Sequence, residues 1–266
     1  MNNVNKTLYI PLYGKSYVSK KGILLQDKQA EKMWEAAGFS LKSKSKSKWL
    51  AYYMGMRSAV FDNWVTEQLS QNPDAVVLHI GCGLDSRCLR INHTAQAWYD
   101  IDFPEVITER ERFYQPTDTY HMIGMDSRNS ALFDLLPVSD SAIVIMEGIS
   151  MYMQKEELTT LLKGLSHHFK NVQLLLDCYT EFAAKASKYK NPINEVGVTE
   201  VYGIDNPLIL TENTGFCFIK EHTMTPISMI KQLSNMEQII FKPLYGGKIA
   251  AKMYRLYEYG TTTLKK

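Results

Sequence analysis

Residues 75–80 (AVVLHI) follow the turn signal Asn72-Pro73-Asp74 and run directly into Gly81-Cys82-Gly83. A strand with one wet face would alternate apolar and polar residues, so this run predicts a strand covered on both faces, as in parallel sheets flanked by helices. Comparable runs stand at 95–101 (AQAWYDI), 120–125 (YHMIGM), 141–146 (SAIVIM) and 172–178 (VQLLLDC). Helical stretches separate several of them, notably 104–114 and 155–168. This alternation predicts βαβ units with right-handed crossovers. Two later segments, 215–222 (GFCFIKEH) and 248–259 (KIAAKMYRLYEY), have one short helical segment between them around 226–235, and they predict an antiparallel pair at one edge. The expectation is an α/β fold: a doubly wound, mostly parallel, seven-stranded sheet with an antiparallel edge.

Upstream, residues 27–37 (DKQAEKMWEAA) read as a helix stopped by Gly38. In SLKSKSKSK, Lys42, Lys44, Lys46 and Lys48 alternate with serine and offer no apolar face, which predicts a solvated hinge. Over 49–69 the apolar positions share one broad helical face, and Arg57 lies on it. The expected organisation is an N-terminal helical cap or lid over 1–72 and an α/β domain over 73–266. A lid insertion near 189–213, with Pro192 and Pro207, completes it.

Thirty basic residues against 28 acidic ones leave a net charge of +2, too weak a field to hold a nucleic-acid backbone. No apolar run approaches the roughly 20 residues of a membrane helix, and the opening MNNVNKTLYIPLYGKSY lacks the order of a signal peptide, so a cytoplasmic protein is expected. Cys82, Cys88, Cys178 and Cys217 are scattered without C-x-x-C spacing. Among the histidines only His167 and His168 are close neighbours, and no metal site is expected.

In a doubly wound sheet, ligands bind beyond the carboxyl ends of the strands where strand order reverses. Four motifs fall there: Gly81-Cys82-Gly83-Leu84-Asp85-Ser86-Arg87, Asp100-Ile101-Asp102-Phe103-Pro104, Gly124-Met125-Asp126-Ser127 and Met146-Glu147-Gly148. Glycines admit a ligand close to the backbone, and Asp100 and Asp102, 19 and 21 residues beyond Gly81, suit a ribose. Dinucleotide enzymes and methyltransferases share this pattern. Ser86 stands where a pyrophosphate loop wants a third small residue, and Asp85 would repel phosphate. S-adenosylmethionine carries no phosphate, and an acidic loop is compatible with its ammonium and sulfonium.

The segments VLHIGCGLDSRCLRI, WYDIDFPEVI, MIGMDS and IVIMEGISMYM, with MRSAVFDNWV upstream, together resemble the leucine carboxyl methyltransferase family, including bacterial O-methyltransferases of the tetracenomycin polyketide type. The similarity is collinear over roughly residues 52–179. It implies a class I, Rossmann-like methyltransferase that uses S-adenosylmethionine and releases S-adenosylhomocysteine. Arg57 would pair with the cofactor's methionine carboxylate, Gly81, Gly83 and Asp85 would form the loop at its methionine part, and Asp102 would hold the ribose. Asp126 and Ser127 would meet the adenine, and Glu147 would close the site near the amino group or the methyl. Cys82, Ser86 and Ser127 depart from the family's usual Gly-Ala-Gly-Leu-Asp-Thr-Arg and Asp-Leu patterns. Asp102 would also serve as an N-cap before Pro104.

The implied activity is O-methyl transfer to a carboxylate or hydroxyl of a small, polyketide-like molecule. The residues taken as catalytic are Glu147, Tyr152 and Tyr179; His222 is a further candidate for a proton acceptor. Two other readings stay open, a nicotinamide-dependent oxidoreductase and a catalytically silent S-adenosylmethionine-binding protein. A small-molecule acceptor is the expected partner, without nucleic acid or membrane, and a homo-oligomer is compatible with the sequence.

Overall fold

The computed structural model describes residues 7–36, 43–91, 95–190 and 200–261. In chain order these form α1 (Tyr9–Lys21), α2 (Lys28–Ala36), α3 (Lys48–Gln71), β1 (Val76–Ile80), α4 (Arg87–Arg90), β2 (Trp98–Asp102), α5 (Pro104–Arg110), β3 (Tyr120–Gly124) and β4 (Ser141–Met146). They continue through α6 (Lys155–His168), β5 (Asn171–Tyr179), α7 (Glu181–Lys190), β6 (Phe216–His222), α8 (Ile227–Ile230), α9 (Asn235–Tyr245), α10 (Lys248–Ala251) and β7 (Tyr254–Thr261).

The strands make one sheet in the order β3-β2-β1-β4-β5-β7-β6, so strand order reverses between β1 and β4. The first five are parallel, and β7 runs antiparallel to both β5 and β6. The reversed strand thus lies one place inward, and β6 forms the rim. Side-chain alternation sorts the core into two layers. Val77, Ile143, Ile145 and Leu175 face α3, α8 and α9, whereas Val76, Leu78, Val144 and Leu176 face α6. A third cluster joins α1 and α2 to Leu84, Val106 and Met151 over the carboxyl edge of the sheet.

Several boundaries differ from expectation. Residues 248–251, expected to open the last strand, form α10, and the strand starts at Tyr254, where it can pair with Tyr179. The single helical segment expected around 226–235 is a succession of α8, α9 and α10. Residues 9–21, not anticipated as a helix, form α1, which ends on Gly22 in the left-handed conformation (φ 70°). Helix α3, expected within the cap, packs into the core against the sheet. Part of the expected hinge is helical instead, as a 3-10 turn over Ser43–Lys46 precedes the Ser47 cap of α3. Gly38, Lys42, Pro192 and residues 191–199 of the expected lid lie outside the described residues. Residues 207–210 form a 3-10 turn, Pro207–Leu210.

Candidate active site

A cavity of about 310 Å³ opens at the carboxyl edge beside the reversal point. Its wall includes ten of the residues singled out above: Arg57, Gly81, Gly83, Asp85, Asp102, Asp126, Ser127, Glu147, Tyr152 and Tyr179. His222 is elsewhere, at the end of β6, where Nε2 lies 2.6 Å from Glu258 Oε2. It does not line this cavity, which corrects its candidacy as a proton acceptor.

Two glycines shape the floor. Gly81 adopts φ +71°, and a Cβ there would come within 2.0 Å of Ile149 Cγ2, so any side chain would collide with the loop after β4. Gly148, with φ +77°, leaves room for Arg57, whose Nη1 would be 3.3 Å from a Cβ at that position. Between the strands, Gly83 N–H donates to Asp102 Oδ2 at 2.7 Å, and Phe103 N–H donates to Oδ1 at 2.8 Å. Asp102 therefore braces the glycine loop, and the helix cap falls to Phe103, which makes no side-chain capping bond. Burial raises the Asp102 pKa despite these two backbone bonds. Asp100 turns the other way, buried with Arg110, Tyr120 Oη (2.7 Å) and Trp98 Nε1 (2.9 Å).

Beneath the loop lies a network of buried charge. Arg57 Nε donates to Glu147 Oε1 at 3.0 Å, and its Nη1 donates to Asp177 Oδ2 at 3.0 Å and reaches Tyr254 Oη at 3.3 Å. Its Nη2 makes no hydrogen bond among the described residues. Arg87, wholly buried, donates to the other Glu147 oxygen and to Asp62 Oδ1 at 2.6 Å. Burial alone would raise the Glu147 pKa, but the guanidiniums of Arg57 and Arg87 hold it down to about 2. For Asp177 burial wins over Arg57 and moves it up to about 6. Such pairs are costly to break, at about 3–5 kcal/mol for an uncompensated buried charge.

Asp85 requires a correction. Its Oδ2 accepts from Lys15 Nζ at 2.7 Å, its Oδ1 caps Arg87 N–H at 2.8 Å, and Arg90 Nη1 stands 3.1 Å away. Burial opposes ionisation, yet Arg87, Arg90 and Lys15 keep the carboxyl well below its usual range. The loop is acidic in sequence but compensated in space, so repulsion from Asp85 no longer separates a phosphate ligand from S-adenosylmethionine. Asp126 is likewise engaged, by Arg128 Nη2 at 2.6 Å.

Lys15, Arg87, Arg128, Asp177 and Tyr254 belong to this site, and the sequence reading missed their roles. Arg87 stands within the quoted glycine motif; Lys15 and Tyr254 enter only through tertiary contact. Lys15 and Tyr254 line the cavity together with Leu8, Ile10 and Pro11 of the N-terminal segment, which roofs it. Tyr152 and Tyr179 border the same space, and burial raises the Tyr152 pKa. Among the described residues, no group of three or more His, Cys, Asp or Glu is placed to hold a metal ion, and no helix is long and apolar enough to cross a membrane.

Comparison with known proteins bears directly on this geometry. The chain is 33% identical over 152 residues to the tetracenomycin polyketide synthesis O-methyltransferase TcmP of Streptomyces glaucescens, a match covering 57% of this chain and 56% of that protein. It is 26% identical over 179 residues to the S-adenosyl-L-methionine-dependent methyltransferase dpfgK of Gibberella zeae, covering 62% of this chain and 60% of the relative. The matched stretch thus spans less than two thirds of either relative's length. In fold it is similar to the magnesium protoporphyrin IX methyltransferase of Synechocystis PCC 6803, solved with bound SAH, at a TM-score of 0.52 and 12% identity over 94% of this chain and all of that one. The sheet order above is accordingly that of a class I methyltransferase fold. The family model for leucine carboxyl methyltransferase matches residues 6–166, through the glycine loop, Asp102, Glu147 and the roof helix, and the chain belongs to that family.

Proposed function

We propose that this protein is an S-adenosylmethionine-dependent O-methyltransferase acting on a hydroxyl or carboxylate of a small molecule in the cytoplasm. The observation that carries the reading is the cavity's pair of complementary ends. Asp102 presents a carboxylate where ribose hydroxyls would donate, and Arg57 Nη2 and Lys15 present cations where an amino acid's carboxylate would lie. The relatives' names and the family support the same cofactor. The polyketide-related relative supports a small-molecule acceptor, and no comparison supports an oxidoreductase.

Bound S-adenosylmethionine supplies an electrophilic methyl on a sulfonium, so the protein's task is alignment and exclusion of water. Arg57 and Lys15 hold the carboxylate end, and Asp102 accepts from the ribose. Asp126 and Ser127 border the adenine end, where Arg128 must yield Asp126 for a new partner. Glu147, ionised far below neutral pH, is a poor proton acceptor; it positions Arg57 and Arg87 and offers the cofactor's ammonium a counter-charge. Tyr152 and Tyr179 orient the acceptor oxygen, and α1 covers part of the cavity.

Titration calorimetry with S-adenosylhomocysteine and with NADH tests this. Micromolar binding of the first and none of the second is expected; the reverse overturns the assignment.

A further inference from the structure

Helix α9 carries apolar residues on two opposite faces. At about 100° per residue, Phe241 and Tyr245 fall on one of them. There Phe241 is wholly buried and meets Tyr52 of α3 edge-on, with ring centroids 6.3 Å apart. The other face carries Met236, Ile239, Ile240, Pro243 and Leu244, the spacing of a continuous apolar stripe. All five are exposed, Met236 and Ile239 to 72% and 69%. Helices α8 and α10, which contact α9, add exposed Ile227 and Ile249. None of these residues lines the cofactor cavity. Apolar residues scattered singly over a surface need no partner, whereas a contiguous stripe marks a docking face.

The charge around the stripe selects its partner. On the flank beside Ile239 the helical spacing places Lys242, which is exposed. On the flank beside Leu244 lies Glu237, which holds Lys21 Nζ at 3.0 Å and Lys48 Nζ at 3.4 Å and accepts from Tyr52 Oη at 2.6 Å. Lys48 ends the alternating run SKSKSK over 43–48, whose Lys46 is also exposed. Over residues 223–253 the sequence holds four lysines and Glu237, with no aspartate or arginine. The stripe is therefore bracketed by cations, and the one acid beside it is already engaged. A second copy of this chain is a poor match, because twofold pairing would bring the same lysines face to face. Nucleic acid is another, since its phosphates would meet isoleucine at the centre of the face.

We propose that this face binds the surface of an anionic phospholipid bilayer, with α9 lying in the plane of the interface. Met236, Ile239, Ile240 and Leu244 enter the boundary between headgroups and acyl chains, and Lys21, Lys48 and Lys242 meet the lipid phosphates. A helix that lies along a membrane needs no run of roughly 20 apolar residues, and its affinity combines buried apolar area with attraction to anionic lipid. The proposal goes beyond the cofactor assignment and stands independently of it.

The test is co-sedimentation of the full chain with large vesicles of phosphatidylcholine, alone or with about 30% phosphatidylserine. Partitioning onto the serine-containing vesicles is expected to exceed that onto phosphatidylcholine by about tenfold or more. The double variant Ile239→Ser, Ile240→Ser and, separately, Lys242→Glu are each expected to lower it by about tenfold or more, while a melting temperature within about 3 °C of wild type reports the intact fold. No sedimentation with the anionic vesicles, equal partitioning onto both lipids, or wild-type partitioning by either variant overturns the proposal. So does a dimer in light scattering that the double variant converts to a monomer, because the stripe would then belong to a second copy.

Discussion

Glu147 lies between two guanidiniums, and its acid–base behaviour follows from them. Its ordinary value of 4.5 falls to about 2 in the folded protein, so the folded state binds that proton less tightly than the unfolded one. The stability it contributes is complete above about pH 4.5 and disappears as the pH falls through about 2. Glu147→Gln should therefore cost about 3–5 kcal/mol at neutral pH and flatten the acid limb of unfolding, measured by urea melts from pH 7 to pH 2.5. An equally steep acid limb in the variant would show that Glu147 is not so held. For Asp102 the expected outcome is different. Asp102→Ala should weaken S-adenosylhomocysteine by about 10- to 100-fold in calorimetry, the range for a charged hydrogen bond at about 1.5–3 kcal/mol. Its type and its place beyond Gly81 were readable in the sequence because strand-end carboxylates recur by topology. Lys15, Arg87 and Asp177 were not, since their site partners Asp85, Glu147 and Arg57 are 60–120 residues away and only the folded sheet brings them together.

Helix α1 shows where periodicity fails as a guide. Tyr9, Ile10, Leu12, Lys15, Ser16 and Val18 are all buried, so the helix is enclosed on several sides and has no apolar stripe to announce it. Helix α6 was readable over its full span because Leu158, Leu161, Leu162 and Leu165 form one face, while Gln154 and Glu157 cap its start. The late start of β7 escaped for another reason: Lys-Ile-Ala-Ala has no β-branched run beyond one isoleucine, and the strand begins only where Tyr179 offers pairing. Because Lys15 ties α1 to the glycine loop, Lys15→Ala should loosen the roof without unfolding the sheet. Amide exchange over α1 should accelerate in that variant while β1 and β4 remain protected; uniform acceleration would place the lysine in the global core instead. In the loop itself, Gly81→Ala should destabilise by about 1–3 kcal/mol through its left-handed backbone and the Ile149 collision, and Ile149→Ala should recover part of the loss in thermal melts.

At the scale of the molecule, cofactor and fold are linked by mass action. S-adenosylhomocysteine at one hundred times its dissociation constant should add about 2.7 kcal/mol of stability and raise the melting temperature by about 5–10 °C. An unchanged midpoint at that concentration would count against binding to the folded state. The βαβ rhythm was legible from apolar runs, because β1, β4 and β5 are covered on both sides, whereas the reversal point between β1 and β4 emerges only in the folded sheet. Strand β6, at the outer margin, is built on other rules. Only Phe216 is buried, Ile219, Lys220 and Glu221 are exposed in succession, and the register shifts between Phe218 and Lys220. A kinked margin studded with charge is a poor template for another molecule's backbone. Edge-to-edge pairing of two molecules through β6 is thereby disfavoured, a protection that straightening β6 or neutralising Lys220 and Glu221 would remove.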